Sequence, residues 1–393
     1  MKAEWEIKQL PDIAEYFVGL TYKPGDVGDG GTIVLRSSNV QNDALDLSDL
    51  VRVNCSIKKS LYVRKSDILM CSRNGSKRLV GKTAVIGDLP EEMTFGTFMT
   101  VIRSVFNPYL SWFFRSEAFR DQIGVGENTM INQITKYMLD AIRVPMPPPA
   151  EQQRIVTLLD AAFESIATAK ANAEKNLQNA RAIFESHLQS VFTLQGDGWE
   201  DKTLEQIATI FGRGKSRHRP RNAAHLYGGK YPFIQTGDIR NSEHFITEYS
   251  QTYSEAGLAQ SKLWPKGTIC ITIAANIAET GILDFDACFP DSVIGIVPSP
   301  KEAITGFVEY LLQSFKVRLQ SLGQGSAQAN INMGTFENEK FPFPSVSEQK
   351  QIVVKLDALS TETQRLESLC QRKLQALDDL KKSLLHRAFN GDL

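Results

Sequence analysis

Two stretches of the chain carry apolar or small residues every three or four positions without a break. In the first they fall at 155, 159, 162, 166, 169, 173, 177, 180, 184, 188 and 191. In the second they fall at 352, 356, 359, 363, 366, 370, 374, 377, 380, 384 and 388, with Thr363 the polar exception. Alternating steps of four and three put one stripe on a helix, and that spacing is the seam of a coiled coil. Neither stretch contains Pro or Gly. Pro145, Pro147, Pro148 and Pro149 lead into the first and Pro342 and Pro344 into the second, while Gly196 and Gly391 follow, as helix punctuation should. Helices of about 43 residues would each run about 65 Å at 1.5 Å per residue. The seam is assigned to Ile155, Leu159, Ala162, Ile166, Ala173 and Leu177 in the first, and to Ile352, Leu356, Leu359, Leu366, Leu374, Leu377 and Leu384 in the second.

The two stretches belong to a larger repeat. Pro145-x-Pro147-(x3)-Glu151-Gln152-Gln153-Arg154-Ile155-Val156 matches Pro342-x-Pro344-(x3)-Glu348-Gln349-Lys350-Gln351-Ile352-Val353 at a constant offset of 197. Near the start of each half, Trp5-Glu6-x-Lys8-x-Leu10-x-x-Ile13-Ala14 matches Trp199-Glu200-x-Lys202-x-Leu204-x-x-Ile207-Ala208 at an offset of 194. Self-similarity on this scale predicts two copies of one unit. The expected boundaries are a globular part at 1–147, a helix at 148–196, a second globular part at 197–344 and a second helix at 345–393. If the helices pair, the order of the repeats makes them antiparallel, with a pseudo-two-fold axis across the coil.

The globular halves mix short strands with helices and read as α+β. Strands are expected at Thr32–Val40 and Tyr231–Ile239, each entering a polar turn. Buried strands are expected at Asp67–Cys71, Thr268–Ile273, Thr83–Ile86 and Val293–Val297. Asn107–Arg120 and Thr305–Leu319 read as helices.

Composition then narrows the function. The 393 residues hold 44 Lys+Arg against 45 Asp+Glu, and 42% are hydrophobic, enough to build cores. A net charge of −1 argues against a histone-like protein or a polybasic membrane binder. No run approaches 18 apolar residues, so no transmembrane helix is expected, and the charged start does not read as a signal peptide. Five cysteines without a C-x-x-C pair fit reduced cytosolic thiols, and a cytoplasmic location in a prokaryote is expected. The histidines show no metal-ligand spacing, so no metal site is assigned.

No catalytic constellation emerges. Gly75-(x5)-Gly81-Lys82-Thr83 has one residue too many for a phosphate loop and runs into a strand. Asn107-Pro108-Tyr109 reads as a helix start, and no nucleophile elbow is present. Charge is instead segregated along the chain. Arg52 to Lys82 carries nine basic residues against one acid, and Arg213 to Arg221 five against none, while residues 1–50 hold nine acids and four bases. Basic loops interleaved with Ser, Asn and Gly suit phosphate contact, and Arg, Asn and Gln side chains suit base edges. The DNA-contact candidates are Arg36, Ser37, Asn39, Lys58, Lys59, Arg73, Asn74, Lys77, Arg78 and Lys82 in the first half. In the second they are Arg213, Lys215, Arg217, Arg219, Arg221, Gln235, Thr236, Asn276, Gln324 and Gln328. The bland alternative at every one of them is a solvated basic or connecting loop.

The duplicated P-x-P-(x3)-E-Q-x-x-I-V lead into a long helix resembles the conserved regions of type I restriction-modification specificity subunits. Lys65-Ser66-Asp67-Ile68-Leu69 and Lys266-Gly267-Thr268-Ile269-Cys270 are similar to that family's G-D-I-L strand. Thr236-Gly237-Asp238-Ile239 and Ser37-Ser38-Asn39-Val40 match another recurrent strand end. Ala274-Ala275-Asn276 departs from the basic, Gly-containing loop usual there. The resemblance implies a non-catalytic DNA reader with two target recognition domains, one for each half of a bipartite, asymmetric sequence, and a helical spacer that sets the gap. It implies double-stranded DNA, two modification (M) subunits and restriction (R) subunits as partners, and no membrane. No cofactor is implied on this chain: S-adenosylmethionine would belong to the M subunits, ATP and Mg to the R subunit. Two other classes stay open on the residues alone, a coiled-coil scaffold joining two protein-binding domains and an enzyme with a concealed site.

Overall fold

The computed structural model describes residues 5–124, 132–218, 220–274, 277–323, 333–337 and 339–393. The chain folds as two compact units, Met1–Glu174 with Gln371–Leu393, and Lys175–Cys370. Each unit therefore takes part of both long helices.

The two units share one wiring. In the first, an antiparallel sheet runs in the order Glu15–Val18, Met99–Arg103, Ile68–Cys71, Thr83–Val85. In the second the order is Ala208–Arg213, Val293–Pro298, Ile269–Thr272, Thr280–Leu283, with Phe245–Ile246 added in parallel at the edge. Ile68–Cys71 and Ile269–Thr272 are buried along their whole length, which is why each reads as an unbroken apolar run rather than an alternating one. A second sheet in each unit contains a parallel pair, Thr32–Leu35 with Met93–Phe95 and Tyr227–Phe233 with Ala287–Cys288.

The repeated sequence blocks are parts of one junction. Glu6–Gln9 pairs antiparallel with Arg143–Met146, and Glu200–Lys202 with Phe341–Phe343. The strand carrying P-x-P then turns into the long helix. Gln152 donates its side-chain amide to the Pro147 carbonyl at 2.8 Å, and Gln349 donates to Pro344 at 3.0 Å. Proline ends the strand without an N–H to pair, and the glutamine of E-Q holds the carbonyl that the turn exposes.

Two strand expectations shorten. Thr32–Val40 is a strand to Leu35, then a 3₁₀ turn over Ser37–Asn39, and Val40 opens a separate two-residue strand, Val40–Gln41. Tyr231–Ile239 lies in a strand ending at Phe233 and a short helix, Thr236–Asn241. The cause is local: Arg36 N donates to Asn39 Oδ1 and Gln235 N to Asp238 Oδ2, both at 2.8 Å, which curls the backbone out of the sheet. Asn107–Arg120 is likewise two helices, Asn107–Phe113 and Glu117–Gln122, with Ser116 Oγ capping the second by accepting from Phe119 N. Thr305–Leu319 divides into Thr305–Ser314 and Lys316–Gly323.

The long helices span Pro149–Thr193 and Val346–Asn390, 45 residues each. Within the first unit they run antiparallel. Arg154 reaches the Leu393 carbonyl at 2.8 Å, and Lys170 pairs with Asp378 at 2.7 Å. Within the second unit Arg181 pairs with Glu367 at 2.9 Å, and Leu188 and Phe192 share a core with Leu356. Of the expected seam, Ile155, Leu159, Ile166, Ala173 and Leu356 are buried. Ala162, Leu177, Ile352, Leu359, Leu374, Leu377 and Leu384 are half-buried. Leu366 is a correction: it is 45% exposed, whereas Thr363 is 4% exposed and returns its hydroxyl to the Leu359 carbonyl. After Thr363 the inward face continues through half-buried Glu367 and Cys370, and at about 100° per residue Leu366 falls outside it.

Each unit's core is sealed by an aromatic residue near the end of one long helix. Phe389 packs on Tyr109 and Phe113 in the first unit, and Phe192 packs on Phe307 in the second. Trp112 donates to Asp160 at 3.0 Å and Tyr310 to Asp357 at 2.7 Å, so the domain helix is hydrogen-bonded to the long helix at the same place in each copy.

Candidate nucleic-acid interface

In the first unit the basic stretch converges where strand Ile68–Cys71 ends. Ser72 N, Ser72 Oγ and Arg73 N all donate to the Phe98 carbonyl, at 3.0, 3.1 and 3.0 Å. On the other side Ile134 N donates to Ser72 O at 2.7 Å and Asn74 N to Asn132 O at 3.2 Å. The segment is thus clamped between a turn and the 132–134 segment, which Gln133 bridges to Arg73. Asn74 Nδ2 donates to Ser37 Oγ at 2.7 Å, and the Arg73 guanidinium lies 5.2 Å from the centre of the Phe98 ring. Ser37, Arg73, Asn74 and Lys82 are therefore brought to one place. Lys77 and Arg78 follow on the exposed turn Lys77–Leu79, and Lys58 and Lys59 are exposed at the turn Lys59–Leu61.

Three of the sequence candidates serve the fold instead. Asn39 is fully buried, and its amide holds the Asp46 and Asp49 carbonyls at 2.9 and 2.8 Å, so it has no surface to offer a base. Lys82 directs its ammonium at the Ser37 and Val40 carbonyls, 2.6 and 2.7 Å away. Arg36 is bonded to Asp49 at 2.9 Å. These residues shape the turn that carries Ser37. Charge alone could not separate them from reading residues, because a strut and a contact use the same side chains.

In the second unit the loop after Ala208–Arg213 is held close to the 289–291 segment. A Cβ on Gly214 would lie 2.3 Å from the Phe289 carbonyl, which only glycine permits. Arg213 Nε donates to the Asp291 carbonyl at 2.8 Å, and Arg221 grips the Asp291 carboxylate through both oxygens at 2.9 Å. Both arginines buttress the loop, while Lys215 and Arg217 are exposed along it. Gln235 is bonded to Gln251 at 2.8 Å, and Thr236 is half-buried at the start of its helix. Arg219, Asn276, Gln324 and Gln328 lie outside the described residues.

Sequence reasoning missed two features. Phe98, 51% exposed beneath Arg73, is a single apolar residue in a turn and gives no periodic signal. The other is a cleft of about 730 Å³ lined by His244, Tyr310, Asp357, Asp238, Glu243 and Glu248 among others. At its edge fully buried Glu309 accepts from His244 Nδ1 at 2.7 Å, from Thr280 at 2.7 Å and from Gln313 at 2.6 Å. Burial pulls the His244 imidazole down, but Glu309, with Asp357 behind it, outweighs that and the net shift is upward. The three groups satisfy a buried carboxylate, which makes the cluster a structural tie between strand, helix and loop.

No group of three His, Cys, Asp or Glu that could hold a metal occurs among the described residues. Burial pushes the Cys270 and Cys288 thiols up, away from nucleophilic use. Among the described residues no helix is long and apolar enough to cross a membrane.

Comparison with known proteins adds the family. The model for the type I restriction modification DNA specificity domain matches twice, over residues 2–178 and 196–375. The chain is 25% identical to the EcoKI specificity subunit of Escherichia coli K12, over 99% of this chain and 89% of that protein. It is 23% identical to the StySPI specificity subunit of Salmonella potsdam, again over 99% and 89%. Among solved structures, one described under complex assembly and conformational transition of the type I R-M system superposes at a TM-score of 0.80, with 18% identity over 100% and 99% of the chains. The HsdS subunit of Thermoanaerobacter tengcongensis superposes at 0.65, with 18% identity over 100% and 98%. Two copies of the family domain on a duplicated fold, each with a basic strand-end loop, place this chain in the type I restriction-modification DNA specificity family.

Proposed function

We propose that this chain is the DNA-reading, non-catalytic subunit of a type I restriction-modification complex, each recognition domain reading one half of a bipartite, asymmetric target. The observation that carries the reading is the double match of the specificity domain, one per structural unit. The two units share strand order but not surface side chains, so one scaffold can address two unlike half-sites. A direct repeat in one chain frees the target from the palindromy that a symmetric dimer imposes.

The recognition domains are taken as 1–147 and 197–344. The helices between and after them set the unread gap and dock two M subunits, which would bring S-adenosylmethionine and methylate a flipped adenine. R subunits would add ATP- and Mg-dependent cleavage. The DNA-contact set we keep is Ser37, Lys58, Lys59, Arg73, Asn74, Lys77 and Arg78 in the first unit and Lys215, Arg217, Gln235 and Thr236 in the second, together with Arg219, Asn276, Gln324 and Gln328, which lie outside the described residues. Family membership disfavours the scaffold alternative.

The test is a footprint of the complex with its methyltransferase partner across a salt series. Expected are two protected segments with an unprotected gap between them, and an affinity that falls linearly with the logarithm of salt as counterions are released. Absence of sequence-specific protection would refute the reading.

A further inference from the structure

We infer that Arg73, held in place by Phe98, is a specificity-determining residue that reads a guanine in one half-site; this rests on the DNA-reading role proposed above. The guanidinium is exposed at the end of the central strand, and no carboxylate among the described residues pairs with it. Several other arginines of the unit are tied to carboxylates: Arg36 pairs with Asp49, Arg52 with Glu91 and Arg103 with Asp67. Its backbone is fixed from both sides, through the Phe98 carbonyl and the 132–134 segment. The Phe98 ring has no place in the core and lies under the guanidinium at 5.2 Å. An arginine whose guanidinium is held over an aromatic face keeps its fork and loses less freedom when it binds. That fork matches O6 and N7 of guanine in the major groove.

The second unit supplies the comparison. Ile273 N donates to Ser292 O at 3.0 Å, the same bond as Ser72 N to Phe98 O, on the equivalent pair of strands. There the next residue is Ala274, and Ser292 stands where Phe98 stands. The backbone device is kept while the side chains that could read a base are exchanged, as a scaffold with two different targets requires. Arg73 acts on the base, and Phe98 is a positioning residue.

The experiment uses the chain in complex with its methyltransferase partner, acting on a pool of duplexes with randomised target positions; methylated molecules are sequenced. For Arg73→Ala the expected result is loss of a guanine preference of about 10- to 100-fold at one position of one half-site, the other half-site unchanged. Arg73→Lys keeps the charge and loses the fork, so it should lose most of the same preference. Phe98→Ala keeps the backbone carbonyl and should weaken the preference at the same position by a smaller factor. A motif unchanged in Arg73→Ala, even with methylation uniformly reduced, would overturn the inference, because a phosphate contact lowers affinity without altering sequence. If the wild-type complex yields no bipartite motif, the DNA-reading role falls and this inference with it.

Discussion

Gln349 donates its side-chain amide to the Pro344 carbonyl across the turn that joins strand to long helix. It is fully buried, also donates to the Glu302 carbonyl at 3.1 Å and accepts from Ile304 N at 2.9 Å. Gln349→Leu leaves three backbone groups without partners and should cost about 2–4 kcal/mol. Gln152, half-buried, holds only the Pro147 carbonyl among the described bonds, so Gln152→Leu should cost about 1 kcal/mol. Urea unfolding of the two variants measures the difference, and equal costs would contradict this account of the motif.

The hydrogen bonds from domain helix to long helix give a second test. Burial, and then Asp357 beside it, push the Tyr310 phenol well above its ordinary range, so it stays a donor at every working pH. Tyr310→Phe removes only the hydroxyl and should cost about 1–2 kcal/mol, since the acceptor is a carboxylate. Hydrogen exchange in the 305–314 helix should rise in that variant and be unchanged in the 107–113 helix.

How much of this was legible in the sequence depends on whether a feature is periodic. The long helices announce themselves because Ile155, Leu159 and Ile166 recur at helical steps, and the duplicated Gln152 and Gln349 are visible because the junction is built twice. Leu366 reads as a seam residue on hydrophobicity alone, but the helix turns Thr363 inward instead. Asn39 and Lys82 look like contacts in a basic, polar stretch, but their polar atoms close the turn around Ser37 through carbonyls distant in sequence. Phe98 and His244 meet their partners across long sequence separations and leave no local pattern.

The seam correction has a direct consequence. Leu356 is fully buried, so Leu356→Ala should cost about 2–5 kcal/mol, while Leu366→Ala should fall within about 0.5 kcal/mol of wild type. Thermal unfolding of both variants measures it, and a comparable loss in each would restore Leu366 to the seam.

His244 predicts a pH dependence. Its folded pKa is raised, so its contribution to stability is complete below the unfolded value of about 6.5 and is lost as pH climbs through the higher folded value. The groups facing it are Glu309, Tyr310 and Asp357. The second unit should therefore loosen as pH rises above the unfolded value of about 6.5, and His244→Gln should flatten that part of the profile. A profile unchanged by the substitution would remove the His244–Glu309 tie as its cause.

The central claim is that each unit reads its own half-site while the helices set the gap. The most direct measurement is the methylated motif of the complex after residues 1–147 are replaced by those of a family relative. The account predicts that one half-site is exchanged while the other half-site and the gap length stay as they were. A motif in which both halves change, or neither does, would contradict it.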